Sequence, residues 1–136
     1  GGDSLSGRTR RRHHQCIFLG CPGVQRLGGA TLYGPMKAAV VNYTNTLAGE
    51  VAAKGIRVLC IMPGFTLTPL VAQTIAPEEL NKQVKSCLLR RPAQPEEIAG
   101  PIVFLASQQA AYMDAATIEV SGGRNVTLNP GYSYND

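Results

Sequence analysis

YGPMKAAVVNYTNTLAGEVAAKGIRVLCIMPG, residues 33–64, decides the fold. Its first part is rich in helix-forming alanine, and Val40, Tyr43, Leu47 and Val51 recur three or four residues apart, the period of a helix with one apolar side. The spacing predicts a helix over residues 33–54, the longest of the chain. Gly55 then stops it as a C-terminal cap would, since glycine enters the left-handed backbone that closes a helix without steric cost. Residues 56–62 (IRVLCIM) are almost continuously apolar, as in a strand covered on both faces, and Pro63 and Gly64 end them.

Working outward, Cys16, Ile17, Phe18 and Leu19 form a second apolar run, closed by Gly20, Pro22 and Gly23 and followed by a loop to about Thr31. Downstream, residues 68–73 and 77–87 read as two short helices. Pro77 opens the second, with Glu78 and Glu79 where the positive end of the helix dipole favours carboxylates. Residues 90–94 connect to a further helix that starts at Pro95, Glu96 and Glu97 and reaches about Ser107. Residues 117–120 make a last strand, and Gly122 and Gly123 turn the chain into an irregular tail. Apolar strands alternating with helices predict an α/β chain: about three parallel strands with crossover helices.

The 136 residues suffice for one core and not for two. A hydrophobic share of 44% with 16% charged residues excludes a disordered composition. The net charge of +4 is concentrated in Arg8, Arg10, Arg11 and Arg12; beyond residue 16, nine basic and eight acidic side chains remain. A nucleic-acid partner is therefore not expected, and residues 1–15 read as an irregular basic arm ahead of a domain over 16–136. No apolar stretch reaches the roughly 18 residues that span a bilayer, so no membrane association is expected. The expected location is the cytoplasm, with the arginine-rich start faintly resembling an organellar transit peptide.

Four scattered cysteines, Cys16, Cys21, Cys60 and Cys87, suggest reduced thiols and not a disulfide framework. His13, His14, Cys16 and Cys21 offer only one ligand pair with acceptable zinc spacing, so no metal is expected.

Tyr33 and Lys37 carry the chemistry. Four apart on a helix, they share one face about a turn apart. A lysine ammonium near a phenol favours the phenolate and brings a pKa ordinarily about 10 toward the range of a general acid or base. Taken alone, the pair also fits an ordinary half-buried surface contact.

The stretch 33–69 closely resembles the catalytic helix, following strand and proline-glycine loop of the short-chain dehydrogenase/reductase family. RRPAQPEEIAGPIVFLAS (90–107) resembles the family's helix after the substrate loop, and YMDAATIEVSGG (112–123) its last strand and glycine pair. The resemblance implies the C-terminal half of a Rossmann-like, doubly wound parallel sheet and an NAD- or NADP-dependent oxidoreductase acting on a small carbonyl or alcohol substrate. It implies that Tyr33 is the acid or base, and that Lys37 lowers its pKa and holds the ribose hydroxyls. It further implies that Pro63, Gly64, Thr66 and Thr68 form the nicotinamide side of the cofactor site, Thr66 by backbone contact and Thr68 by a hydroxyl near phosphate. For Pro63 and Gly64 the plain alternative is a strand-ending turn. Residues 70–89 would close over the substrate, and family members commonly self-associate into homo-oligomers.

Departures from the family pattern shape the expectation. Gly20 occupies the position of the serine that polarises the substrate carbonyl, and neighbouring Cys21 is a weak donor on a differently directed position. Leu59 replaces a common asparagine, and Ala115 stands where glycine is frequent. The upstream catalytic asparagine is missing, and no glycine-rich turn after a first strand precedes Tyr33. The chain is therefore expected to be a truncated oxidoreductase inactive by itself, with a non-catalytic fragment or interaction module of the same ancestry as the alternative.

Overall fold

A computed structural model describes residues 15–20, 32–124 and 134. Its centre is a sheet of β1 (Gln15–Gly20), β2 (Ile56–Pro63) and β3 (Ala116–Val120) in that spatial order, with both pairings parallel. The register sets Gly20 opposite Ile61 and Pro63 opposite Val120. The expected partial doubly wound sheet is present: α1 (Tyr33–Val51) packs on β1 and β2, and α4 (Pro95–Ala106) packs on β1 and β3.

Both faces of β2 are covered because its side chains alternate between them. Leu59 and Ile61 join a core with Leu105 and Ala110, against which Ile98, Ile102 and Met113 pack. Val58 and Cys60 point to the opposite face, where α1 lies, and are fully buried. Burying such a side chain contributes roughly 2 kcal/mol, which makes β2 the axis of the fold.

Arg57 interrupts this apolar run yet is 6% exposed. Its guanidinium donates to the carbonyls of Ala110 (3.0 Å), Met113 (3.0 Å) and Leu105 (2.8 Å). Leu105 lies in the last turn of α4, where unsatisfied carbonyls and the negative end of the helix dipole favour a cation. On the neighbouring turn, the Asp114 carboxylate accepts from the N–H groups of Val58 and Ala115, both at 2.8 Å.

α1 corrects one expectation. Tyr43 is 54% exposed, and the buried positions are Thr44 and Ala48. Small residues on the inner stripe let the helix approach the sheet closely, and the Thr44 hydroxyl is satisfied by donating to the Val40 carbonyl at 2.8 Å. The α-helix also ends three residues early. Ala52–Lys54 tighten into a 3₁₀ turn, and Gly55, at φ +71°, closes it with a 2.9 Å bond from its N–H to the Ala52 carbonyl.

After β2 come α2 (Pro69–Thr74) and α3 (Pro77–Lys85). Thr68 is the N-cap of α2 and not its first helical residue, and α3 stops at Lys85, two residues short of the expected end, because the Cys87 N–H turns back to the Val84 carbonyl. Among the described residues, no helix is long and apolar enough to cross a membrane.

Candidate functional site

Because the three strands are parallel, Gly20, Pro63 and Val120 all end at one edge of the sheet. Only Gly55 separates the 3₁₀ close of α1 from β2, so the helix finishes at the opposite edge and runs antiparallel to the strand. Its 19 residues span ~28 Å and the 8 of β2 span ~26 Å. The start of α1 therefore stands beside the carboxyl ends of the strands, the place where open α/β sheets bind ligands.

The inner stripe of α1 fixes which positions face that edge. Lys37, Val40, Val41, Thr44, Leu47, Ala48 and Val51 are the half-buried or buried residues after Met36, at helical period. Tyr33 opens the helix one turn before Lys37, and its backbone position continues the same stripe. The Tyr33 side chain lies outside the described residues, as do His13, His14 and Cys21. Gly20 is the last residue of β1 and carries no side-chain donor to this edge.

The loop after β2 is built on close contact. The Gly64 N–H donates to the Val120 carbonyl at 2.9 Å, and a Cβ at Gly64 would stand 2.7 Å from both the Cα and the carbonyl oxygen of Ser121. Glycine is thus required where the exits of β2 and β3 touch. The Thr66 hydroxyl donates to the Gly64 carbonyl at 3.2 Å, and Thr66 forms an isolated parallel bridge with Ala93. Thr68 Oγ1 accepts from the Val71 N–H at 3.3 Å, which leaves its own proton to donate elsewhere.

Beside this loop is a small pocket of about 90 Å³ bordered by Phe65, Cys87, Leu89, Arg91, Val120 and Ser121. Arg91 makes a two-pronged contact with Glu97, 2.6 Å to each carboxylate oxygen, and the Gln94 N–H donates to Glu97 Oε2 at 2.8 Å. The Arg91 bond first, and the Gln94 N–H second, hold the Glu97 carboxyl at about 2, below its ordinary 4.5. Sequence reasoning passed over this pair, although Gln94 and Glu97 have the spacing of a capping box at a helix start. It also passed over Arg57, whose charge within an apolar strand was the available signal. Among the described residues, no group of three or more His, Cys, Asp or Glu side chains could hold a metal ion.

Residues 14–125 match a family model described as enoyl-(acyl carrier protein) reductase. An uncharacterized oxidoreductase of Bacillus subtilis, YhdF, is 40% identical over 115 residues, 82% of this chain and 40% of the relative. The 3-oxoacyl-[acyl-carrier-protein] reductase FabG of Chlamydia pneumoniae is 42% identical over 96 residues, 70% of this chain and 38% of its own length. A (3R)-3-hydroxyacyl-CoA dehydrogenase of Mus musculus is 38% identical over 96 residues, 70% of this chain and 36% of its own length. The chain spans less than half the length of each of these relatives.

Proposed function

The chain belongs to the short-chain dehydrogenase/reductase family, and from that premise we propose that it supplies the proton-transfer side of an NAD- or NADP-dependent oxidoreductase acting on a small carbonyl or alcohol substrate. The observation that carries this reading is the inner stripe of α1, which directs positions 33 and 37 to the carboxyl edge beside the Pro63–Gly64 loop.

The donor set suits such a cofactor. The Lys37 ammonium is a donor suited to ribose hydroxyls, and the proton of the Thr68 hydroxyl suits a phosphate oxygen. A bound nicotinamide would supply the hydride exchanged with the substrate carbon. In the reducing direction Tyr33 gives its phenolic proton to the carbonyl oxygen, so that carbon and oxygen together become an alcohol. The Lys37 ammonium favours the phenolate left behind, and the oxidising direction reverses each transfer. Pro63 and Gly64 would line the nicotinamide side, where the Thr66 hydroxyl bonds back to the Gly64 carbonyl.

Gly20 favours a second reading, a non-catalytic module of the same ancestry, because the donor that polarises the carbonyl is lost there. Removing one such donor lowers turnover by about 10²–10³-fold. The relatives named as a 3-oxoacyl-[acyl-carrier-protein] reductase and a (3R)-3-hydroxyacyl-CoA dehydrogenase support carbonyl and alcohol groups as the substrate class. Met36 and Tyr43, exposed on the outer side of α1, support self-association. The family match starts at residue 14 and β1 at Gln15, which supports reading the residues before 14 as an arm outside the domain.

Titration of the purified chain with NADH and NADPH, followed by turnover of an aldehyde and ketone panel, tests the proposal. The expected outcome is binding, slow turnover, a gain in Gly20→Ser, and at least a ~100-fold loss in Tyr33→Phe with cofactor affinity retained. Neither binding nor turnover, even in Gly20→Ser, would leave the non-catalytic reading standing.

A further inference from the structure

Residues 67–92 leave the body of the fold and return to it. Their ends meet at the Thr66–Ala93 bridge, where the Leu67 N–H donates to the Ala93 carbonyl (2.8 Å) and the Ala93 N–H to the Phe65 carbonyl (2.9 Å). Within this arm α2 and α3 contain no buried residue, and Cys87 is its single buried side chain. A segment with so little buried surface opens far more readily than the sheet it leaves.

What fastens the arm is the turn after α3. The Cys87 thiol lies 3.0 Å from the Gly122 carbonyl, and the Leu89 N–H donates to that same carbonyl at 3.1 Å. Gly122 and Gly123, at φ +63° and +81°, approach so closely that a Cβ would come within 2.6 Å of Cys87 Sγ and 2.7 Å of Leu88 Cδ1. A third hold comes from the far end of the chain. The Tyr134 hydroxyl donates to the Leu88 carbonyl at 2.5 Å, and the Arg90 guanidinium sits 4.4 Å from the centre of the Tyr134 ring. Arg90 has φ +55°, a conformation that residues with side chains keep where their surroundings hold them in it.

We propose that Tyr134 is a positioning residue that clamps the turn over residues 86–90 and thereby keeps the α2–α3 arm fastened at that turn beside the exit of β3. Two different forces act at one point: the hydroxyl fixes the Leu88 carbonyl, and the ring gives the Arg90 cation a face to rest on. The arm starts at Leu67, directly after the Gly64–Thr66 bond, so its closure sets how tightly a substrate at that edge is enclosed. This last consequence rests on the oxidoreductase reading; the clamp itself does not.

The full chain is compared with Tyr134→Phe and Tyr134→Ala by amide hydrogen exchange over residues 78–90 and by tryptic cleavage after Lys85 and Arg90. The alanine variant is expected to exchange and be cut about five- to tenfold faster there, the effect of losing one net hydrogen bond and a ring contact, with β2 amides unchanged. The phenylalanine variant falls between, because the ring still carries Arg90. Unaltered exchange over 78–90 in Tyr134→Ala, or an equal acceleration throughout the sheet, would overturn the clamp. With a turned-over substrate, KM rises severalfold and kcat stays within about twofold; faster exchange with KM unmoved would overturn the positioning role. Absence of turnover in the wild-type chain counts against the oxidoreductase reading alone, since exchange and cleavage still read the clamp.

Discussion

β2 and the arm that follows it are neighbours in sequence and opposites in how they are held. Five consecutive residues of β2, from Arg57 to Ile61, are buried, whereas α2 and α3 bury none. The strand is fixed by side chains on both faces; the arm is fixed at its ends, by the Thr66–Ala93 bridge and the turn around Cys87. Within the proposed oxidoreductase this difference divides the labour. Proton transfer needs Tyr33 and Lys37 held to a fraction of an ångström by a rigid frame, whereas enclosing a substrate needs a segment able to move without disturbing that frame.

The strongest way to break the contrast is to loosen the strand. In Arg57→Met the volume is nearly kept, but three carbonyls at 2.8–3.0 Å lose their donor in a buried place. The expected cost is about 3–4 kcal/mol, mostly from leaving the last turn of α4 and the turn after it unsatisfied. Urea unfolding measures it, and a loss below about 1 kcal/mol would mean that water replaces the guanidinium there. Exchange over residues 78–85 should respond much less than exchange in β2, since α3 contains no buried residue.

A narrower cut is made at the joint between the two regions. Gly64→Ala places a methyl group 2.7 Å from backbone atoms of Ser121, and backbone cannot rotate aside as a side chain can. Overpacking of this kind costs about 2–3 kcal/mol. It also pushes the exit of β2 from that of β3, lengthening the 2.9 Å bond from Gly64 to Val120. Thermal unfolding should show the loss, and selective faster exchange of the Gly64 amide would locate it.

The same contrast explains what could be read from the residues alone. β2 was legible because a strand covered on both faces has few sequence alternatives to IRVLCIM, and α1 because alanine and a helical period agree. Which side of α1 faces inward was misread at Tyr43, since hydrophobicity marks large apolar residues and close helix–sheet contact selects small ones such as Thr44 and Ala48. Ala115 stands where glycine is frequent in the family, and its φ of +49° gives the reason glycine is favoured there. The four-residue spacing of Tyr33 and Lys37 was legible, and the buried stripe of α1 adds that Lys37 lies on its half-buried side. Arg57 and the Arg91–Glu97 pair were missed because their partners are backbone groups or residues whose proximity depends on the turn between them. No period in a sequence reports such a turn.

The smallest expected effect lies on the surface, where Arg91, the last arginine of the arm, grips the first turn of α4 through Glu97. The Glu97 carboxyl is depressed to about 2 from an ordinary 4.5, so the folded chain binds this proton less readily than the unfolded chain. Its contribution to stability is therefore complete above about 4.5 and is lost as the pH falls through about 2. Both partners are solvent-exposed, so screening keeps the gain modest and salt should reduce it further. An NMR titration of the Glu97 side-chain carboxyl should give a midpoint near 2 in the wild-type chain, and Arg91→Gln should return it toward 4.5. A wild-type midpoint near 4.5 would mean that the arm's return end is held by the Thr66–Ala93 bridge and the Cys87 turn without help from this ion pair.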